Sequence, residues 1–62
     1  MFNSEDVTHY VVDGEPMRMR SLRQIVSDVL EYGDIAYHMP VQDIVHALRK
    51  DGRKVEIFKS GI

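Results

Sequence analysis

Ser21-Leu22-Arg23-Gln24-Ile25-Val26-Ser27-Asp28-Val29-Leu30-Glu31-Tyr32-Gly33 is the stretch on which the fold turns. Leu22, Ile25, Val26, Val29 and Leu30 recur at i, i+3, i+4, i+7 and i+8, the spacing of one apolar stripe on an α-helix. Ser21 is placed to cap the first turn, and Gln24 three residues on completes the pattern of a capping box. Gly33 is the expected C′ terminator, so the stretch predicts a helix over 21–32.

Downstream, a second stripe of Val41, Ile44, Val45 and Leu48 predicts a helix from about Val41 to Lys50. Pro40 suits the entry to it, Asp43 complements the dipole near its start, and Arg49 and Lys50 do so near its end. Asp34–Met39, between the two helices, reads either as a single helical turn capped by Asp34 or as a compact loop. Asp51-Gly52 turns the chain out of the second helix. Lys54-Val55-Glu56-Ile57-Phe58-Lys59 then alternates as a strand, with Val55 and Ile57 on its core face, and Ser60-Gly61-Ile62 leaves no room for another element.

Upstream, Val7-Thr8-His9-Tyr10-Val11-Val12 is rich in β-branched and aromatic residues, and Asp13-Gly14 is a favoured tight-turn pair. Pro16 is expected just before or at the edge of a second strand, because it has no N–H to give a ladder. Met17-Arg18-Met19-Arg20 continues that strand and sets both methionines on one face. The fold class is therefore α+β, in a single small domain of residues 1–62. It comprises an N-terminal β-hairpin, two amphipathic helices joined by a short turn, and a C-terminal strand. The simplest packing is a small antiparallel sheet covered on one face by the helices; the last strand pairing with its counterpart in a second copy is the alternative.

A chain of 62 residues is near the lower limit for folding alone, and it has no cysteine to form a disulfide or a thiolate metal site. A homodimer or a protein partner is the expectation. The acidic opening Met1–Asp6 lacks the long apolar run of a secretion signal, and no segment has the length of a membrane span, so a cytoplasmic protein without a membrane partner is expected. The net charge of −2 conceals polarity along the chain. Residues 25–40 carry acids without Lys or Arg, whereas Arg18, Arg20 and Arg23 gather around the first helix start and Arg49, Lys50, Arg53, Lys54 and Lys59 near the C-terminus.

Nothing selects a catalytic group. Ser21 is explained by capping, no Gly-x-Ser-x-Gly elbow occurs, and the carboxylates are scattered over turns and solvent faces. No enzyme and no cofactor are expected. His9, His38 and His46 are isolated; His46 shares a helix face with Asp43, without the further ligands a metal needs. The glycines at 14, 33, 52 and 61 end elements and form no phosphate loop. Met17 and Met19 read as core, with an adaptable protein-binding face as the alternative. Tyr32 and Tyr37 flank the turn between the helices and read as junction packing. The basic groups either pair with Glu31, Asp34, Asp43 and Glu56 or present a surface to an anion such as a nucleic-acid backbone.

The run Gln42-Asp43-Ile44-Val45-His46-Ala47-Leu48-Arg49-Lys50-Asp51-Gly52-Arg53-Lys54-Val55 resembles the recognition helix and following strand of Cro-type phage repressors. In those proteins a Gln opens the helix, and Gly-Arg-Lys with a β-branched residue opens the strand. The sequence departs from the family pattern before that helix: Ile35 and Met39 stand where a small residue and a turn glycine are usual, and Pro40 sits in the turn. The resemblance implies DNA binding if Ile35–Met39 forms a supporting helix.

Two functions are thus expected. The first is a small regulatory DNA-binding protein acting as a dimer, non-enzymatic, through its second long helix and following strand. Gln42, His46, Arg49 and Lys50 would face the groove, and Arg53 and Lys54 would contact phosphates. The second is a small protein-binding inhibitor or assembly module of the type carried by phages or mobile elements, docking through an edge strand or an apolar stripe.

Overall fold

A computed structural model of the chain describes residues 8–59. The expected strand start at Val7 and the expected absence of an element beyond Lys59 lie outside those residues. The order is β1 (Thr8–Val12), β2 (Glu15–Met17), α1 (Met19–Asp28), a 3₁₀ helix (Gly33–Tyr37), α2 (Val41–Lys50) and β3 (Val55–Lys59). The three strands form one antiparallel sheet in the order β2-β1-β3. This is the α+β arrangement expected, with the last strand folded back onto the first within the same chain.

The hairpin closes through two residues, since Val12 pairs with Glu15. Both turn residues have positive φ, Asp13 at 52° and Gly14 at 87°, which is the type I′ geometry that matches strand twist. Pro16 lies within β2 opposite Val11. It is tolerated there because β2 is an outer strand and its missing N–H faces away from the ladder. Tyr10 and Val12 alternate onto the core face with their partners Ile57 and Val55, and with Met17. His9, Val11, Pro16, Glu56 and Phe58 fall on the opposite face.

The core is made by Tyr10, Val12 and Val55 from the sheet, Leu22 and Val26 from α1, Ala36 from the 3₁₀ helix, and Ile44, Val45, Ala47 and Leu48 from α2. Leu22, Ile44, Leu48 and Val26 have no measurable exposure. Burying each such side chain contributes roughly 1.5–3 kcal/mol. Met17, Met19, Ile25, Leu30 and Met39 pack half-buried around this centre. The methionines therefore fill the core margin, Met17 from β2 and Met19 from α1 rather than from one strand face.

Four local expectations are corrected. Ser21 does not cap α1: the helix begins at Met19, the cap position is Arg18 in extended geometry, and no side chain bonds the first turn. The Ser21/Gln24 capping box is accordingly absent; both residues lie inside the helix. Met19 and Arg20 belong to α1 rather than to the second strand, because the chain leaves the sheet after Met17 and Arg18 carries the bend.

The third correction is at the end of α1, which closes at Asp28 and not at Tyr32. Its final turn widens: the Leu30 N–H donates to the Ile25 carbonyl at 3.1 Å and the Tyr32 N–H to the Val26 carbonyl at 3.1 Å. Glu31, at φ 64°, makes the left-handed step expected of Gly33, and Gly33 at φ 72° opens the 3₁₀ helix instead. As a result Val29 leaves the buried stripe and is 58% exposed. The fourth concerns Ile57, which shares the core side of the sheet but remains 46% exposed.

Arg23 holds the segment between the helices. One guanidinium nitrogen donates to the carbonyls of Ala36 at 3.0 Å and Met39 at 2.7 Å. These bonds set the 3₁₀ helix against α1 and fix where α2 begins.

Candidate interaction surface

α2 buries Ile44, Val45, Ala47 and Leu48 and turns Val41, Gln42, His46 and Arg49 outward. The tight turn Asp51-Gly52 sends β3 back alongside it. Arg49 ties the two elements together, its guanidinium donating to the Val55 carbonyl at 2.8 Å. Because Val55 lies beneath the end of α2, Ile57 falls beside the middle of the helix. The result is a groove of about 430 Å³ lined by Val41, Gln42, Val45, His46, Arg49 and Ile57. Its walls are apolar, with Val41 42% and Ile57 46% exposed. Its rim is polar: an amide, an imidazole and a guanidinium.

The six residues expected to bind nucleic acid divide among three places. Gln42, His46 and Arg49 share the groove. Lys50 lies in a second depression with Val29, Leu30, Tyr32, Ala47 and Asp51. Arg53 and Lys54 stand at the hairpin corner. There Arg53 contacts Asp51 at 3.1 Å and Asp13 at 3.8 Å, and the Lys54 N–H donates to the Asp13 carboxylate at 2.9 Å. Among the described residues the acids that pair with Arg53 are thus Asp13 and Asp51, not Glu31, Asp34, Asp43 or Glu56. Both contacts are partly exposed and are worth little individually.

Val41 and Ile57 carry the spacing of core residues but stand exposed as groove walls, while Val45 lies in the core as expected and backs the groove. A signal was available in part. Val41 is the first residue of its helix, where a side chain has no preceding turn to pack against, and Ile57 lies on a strand that could be an edge. The supporting element before α2 is a five-residue 3₁₀ helix, Gly33–Tyr37, which ends before His38 and Met39. It is shorter and tighter than the α-helix that the Cro-type resemblance requires.

Among the described residues no group of three or more His, Asp or Glu side chains converges as metal ligands. No helix among them is long and apolar enough to cross a membrane. Comparison with protein-family profiles, with curated proteins and with solved structures returns no match in any of the three.

Proposed function

We propose that this chain is a cytoplasmic, non-enzymatic protein-binding module whose docking surface is the α2–β3 groove. The observation that carries the reading is the pairing of two exposed apolar walls, Val41 and Ile57, beneath a rim of Gln42, His46 and Arg49. An apolar centre ringed by hydrogen-bonding groups is the anatomy of a protein interface. The complementary partner presents one or two small apolar side chains flanked by a carboxylate for Arg49. Ile57→Asp and Val41→Asp test it. Each variant is expected to keep the circular-dichroism spectrum of the parent and to lose its partner; retention of the partner by both would refute the assignment.

The same module is proposed to work as a homodimer. β3 is an outer strand, paired on one side only by β1 among the described residues, and an open strand edge is a template for a second copy. Sedimentation equilibrium giving a dimer mass supports this; a monomer mass at high protein concentration removes it.

The stripe Gln42, His46 and Arg49 favours a second reading, in which α2 enters the major groove of double-stranded DNA and Lys50, Arg53 and Lys54 flank it. Its test is binding to random duplex at low ionic strength, where phosphate contacts are strongest. Binding that falls steeply with added salt supports it, and no binding removes it.

A further inference from the structure

We propose that the exposed apolar patch where α1 meets the 3₁₀ helix docks a basic amphipathic helix of a partner protein. The patch uses residues other than those of the α2–β3 groove, and does not rest on that reading.

Large apolar side chains are unevenly exposed among the described residues. Val41 and Ile57 wall the groove, and Phe58 stands on the outer face of the sheet. The others, Val29, Tyr32, Ile35 and Tyr37, all lie between positions 29 and 37, and each is 43% to 59% exposed. A place at the helix junction suggests packing for the two tyrosines, yet both stand half in solvent. Apolar exposure gathered in this way marks an interaction site, whereas single exposed residues do not.

The fold brings these residues onto one surface. Val29 and Tyr32 line a depression of about 330 Å³ with Leu30 and with Ala47, Lys50 and Asp51 of the α2 end. Tyr32 runs directly into the 3₁₀ helix, which Arg23 holds on α1. That helix buries Ala36, so its outer rows carry Ile35 on one and Asp34 with Tyr37, three apart, on the other.

Charge decides what covers the patch. Residues 25–40 carry Asp28, Glu31 and Asp34 and no Lys or Arg, and residues 1–7 and 60–62 hold no basic side chain either. Glu31 and Asp34 are exposed between the apolar residues. Of the nearby bases, Lys50 lines the depression beside Asp51, and Arg23 is part-buried on the carbonyls of Ala36 and Met39. The surface is thus apolar and acidic at once. Nucleic acid and anionic lipid are repelled by it, and a cationic protein segment is attracted. The exposed rings of Tyr32 and Tyr37 add to that preference, since Arg and Lys sit favourably on aromatic faces.

Shape selects a helix as the carrier. The depression, floored by half-buried Leu30 and buried Ala47, takes one apolar side chain. Ile35 lies beyond it and takes another further along. Apolar anchors on one face with bases beside them are what an amphipathic helix presents.

The test is amide chemical-shift mapping of the full chain with a synthetic Leu/Lys peptide patterned as an amphipathic helix. Its scrambled isomer and a Leu/Glu counterpart are the controls. The patterned peptide is expected to shift the Val29, Glu31, Tyr32 and Ile35 amides saturably. Tyr32→Ser with Ile35→Ser is expected to weaken it roughly ten-fold or more, the loss that truncated interface anchors bring. Glu31→Gln with Asp34→Asn is expected to weaken it several-fold and to flatten its salt dependence. Ile57→Asp, on the groove, is expected to leave it unchanged. No saturable shift overturns the proposal. So does equal binding of either control peptide, or binding that both double variants leave intact. The same amides shifting when the chain alone is concentrated would give the patch to a second copy and overturn it too.

Discussion

Asp13 and Lys54 hold each other through a closed pair of hydrogen bonds. The Asp13 N–H donates to the Lys54 carbonyl at 2.8 Å, and the Lys54 N–H donates to the Asp13 carboxylate at 2.9 Å. The pair ties the tip of the hairpin to the start of β3, and so sets the register that places Val55 in the core and Ile57 in the groove. Asp13 does this from φ 52°, a conformation that Asp and Asn accept more readily than other side chains.

Asp13→Ala is therefore expected to destabilise the fold by about 1–2 kcal/mol, from the lost acceptor and the strained backbone. Asp13→Asn keeps both the acceptor and the tolerance of positive φ. It is expected to cost less than about 0.5 kcal/mol, because the ion pair it removes, with Arg53, is solvent-exposed. Urea denaturation of the two variants separates the contributions. Equal losses would show that charge, not geometry, makes this corner.

Arg23 is expected to be the most sensitive charged residue in the chain. Arg23→Met leaves the Ala36 and Met39 carbonyls without their donor and is expected to destabilise by about 2–3 kcal/mol. Amide exchange over residues 33–39 should accelerate beyond the change in global stability. Exchange that rises uniformly along the chain would show that Arg23 does not specifically hold the 3₁₀ segment.

Leu48→Ala removes a fully buried side chain between α2 and the sheet. Such truncations cost about 2–5 kcal/mol. A domain of this size has roughly 3–5 kcal/mol to lose, so the variant is expected to be largely unfolded at room temperature. Circular dichroism with a thermal melt reports it, and a cooperative melt close to that of the parent would show a second source of stability.

The helices and the sheet were legible in the sequence because their evidence is periodic. Val41, Ile44, Val45 and Leu48 define α2, and its observed bounds, Val41–Lys50, agree with that spacing. Asp13-Gly14 likewise defined the hairpin turn. The ends of α1 were not legible. Ser21-x-x-Gln24 has the letters of a capping box, but a cap is a backbone geometry, and that geometry falls at Arg18. Glu31 took the left-handed position ahead of Gly33 because the final turn of α1 widens, which no residue spacing encodes. The candidate surface was half legible. Gln42, His46 and Arg49 follow from one helix face, but the basic group was grouped by proximity in sequence. In the fold Lys50 lines a depression with Val29, Leu30 and Tyr32, whereas Arg53 is drawn to Asp51 and Asp13 at the hairpin corner.

Ile57→Asp is expected to change stability by less than about 1 kcal/mol, since the side chain is already 46% exposed, whereas Val55→Asp two residues earlier is expected to abolish folding. Thermal melts of the pair check the boundary between core and groove along β3. A collapse of Ile57→Asp would place that residue in the core.

The docking role of the α2–β3 groove is tested most directly by site-specific photo-crosslinking in cells. A photoreactive residue replaces Val41 or Ile57 in turn, with Glu15 and Asp28 as exposed control positions. One discrete, nuclease-resistant protein adduct from Val41 and Ile57, absent from the controls, is the predicted result. No adduct at the groove positions, or the same adducts at all four, would contradict it.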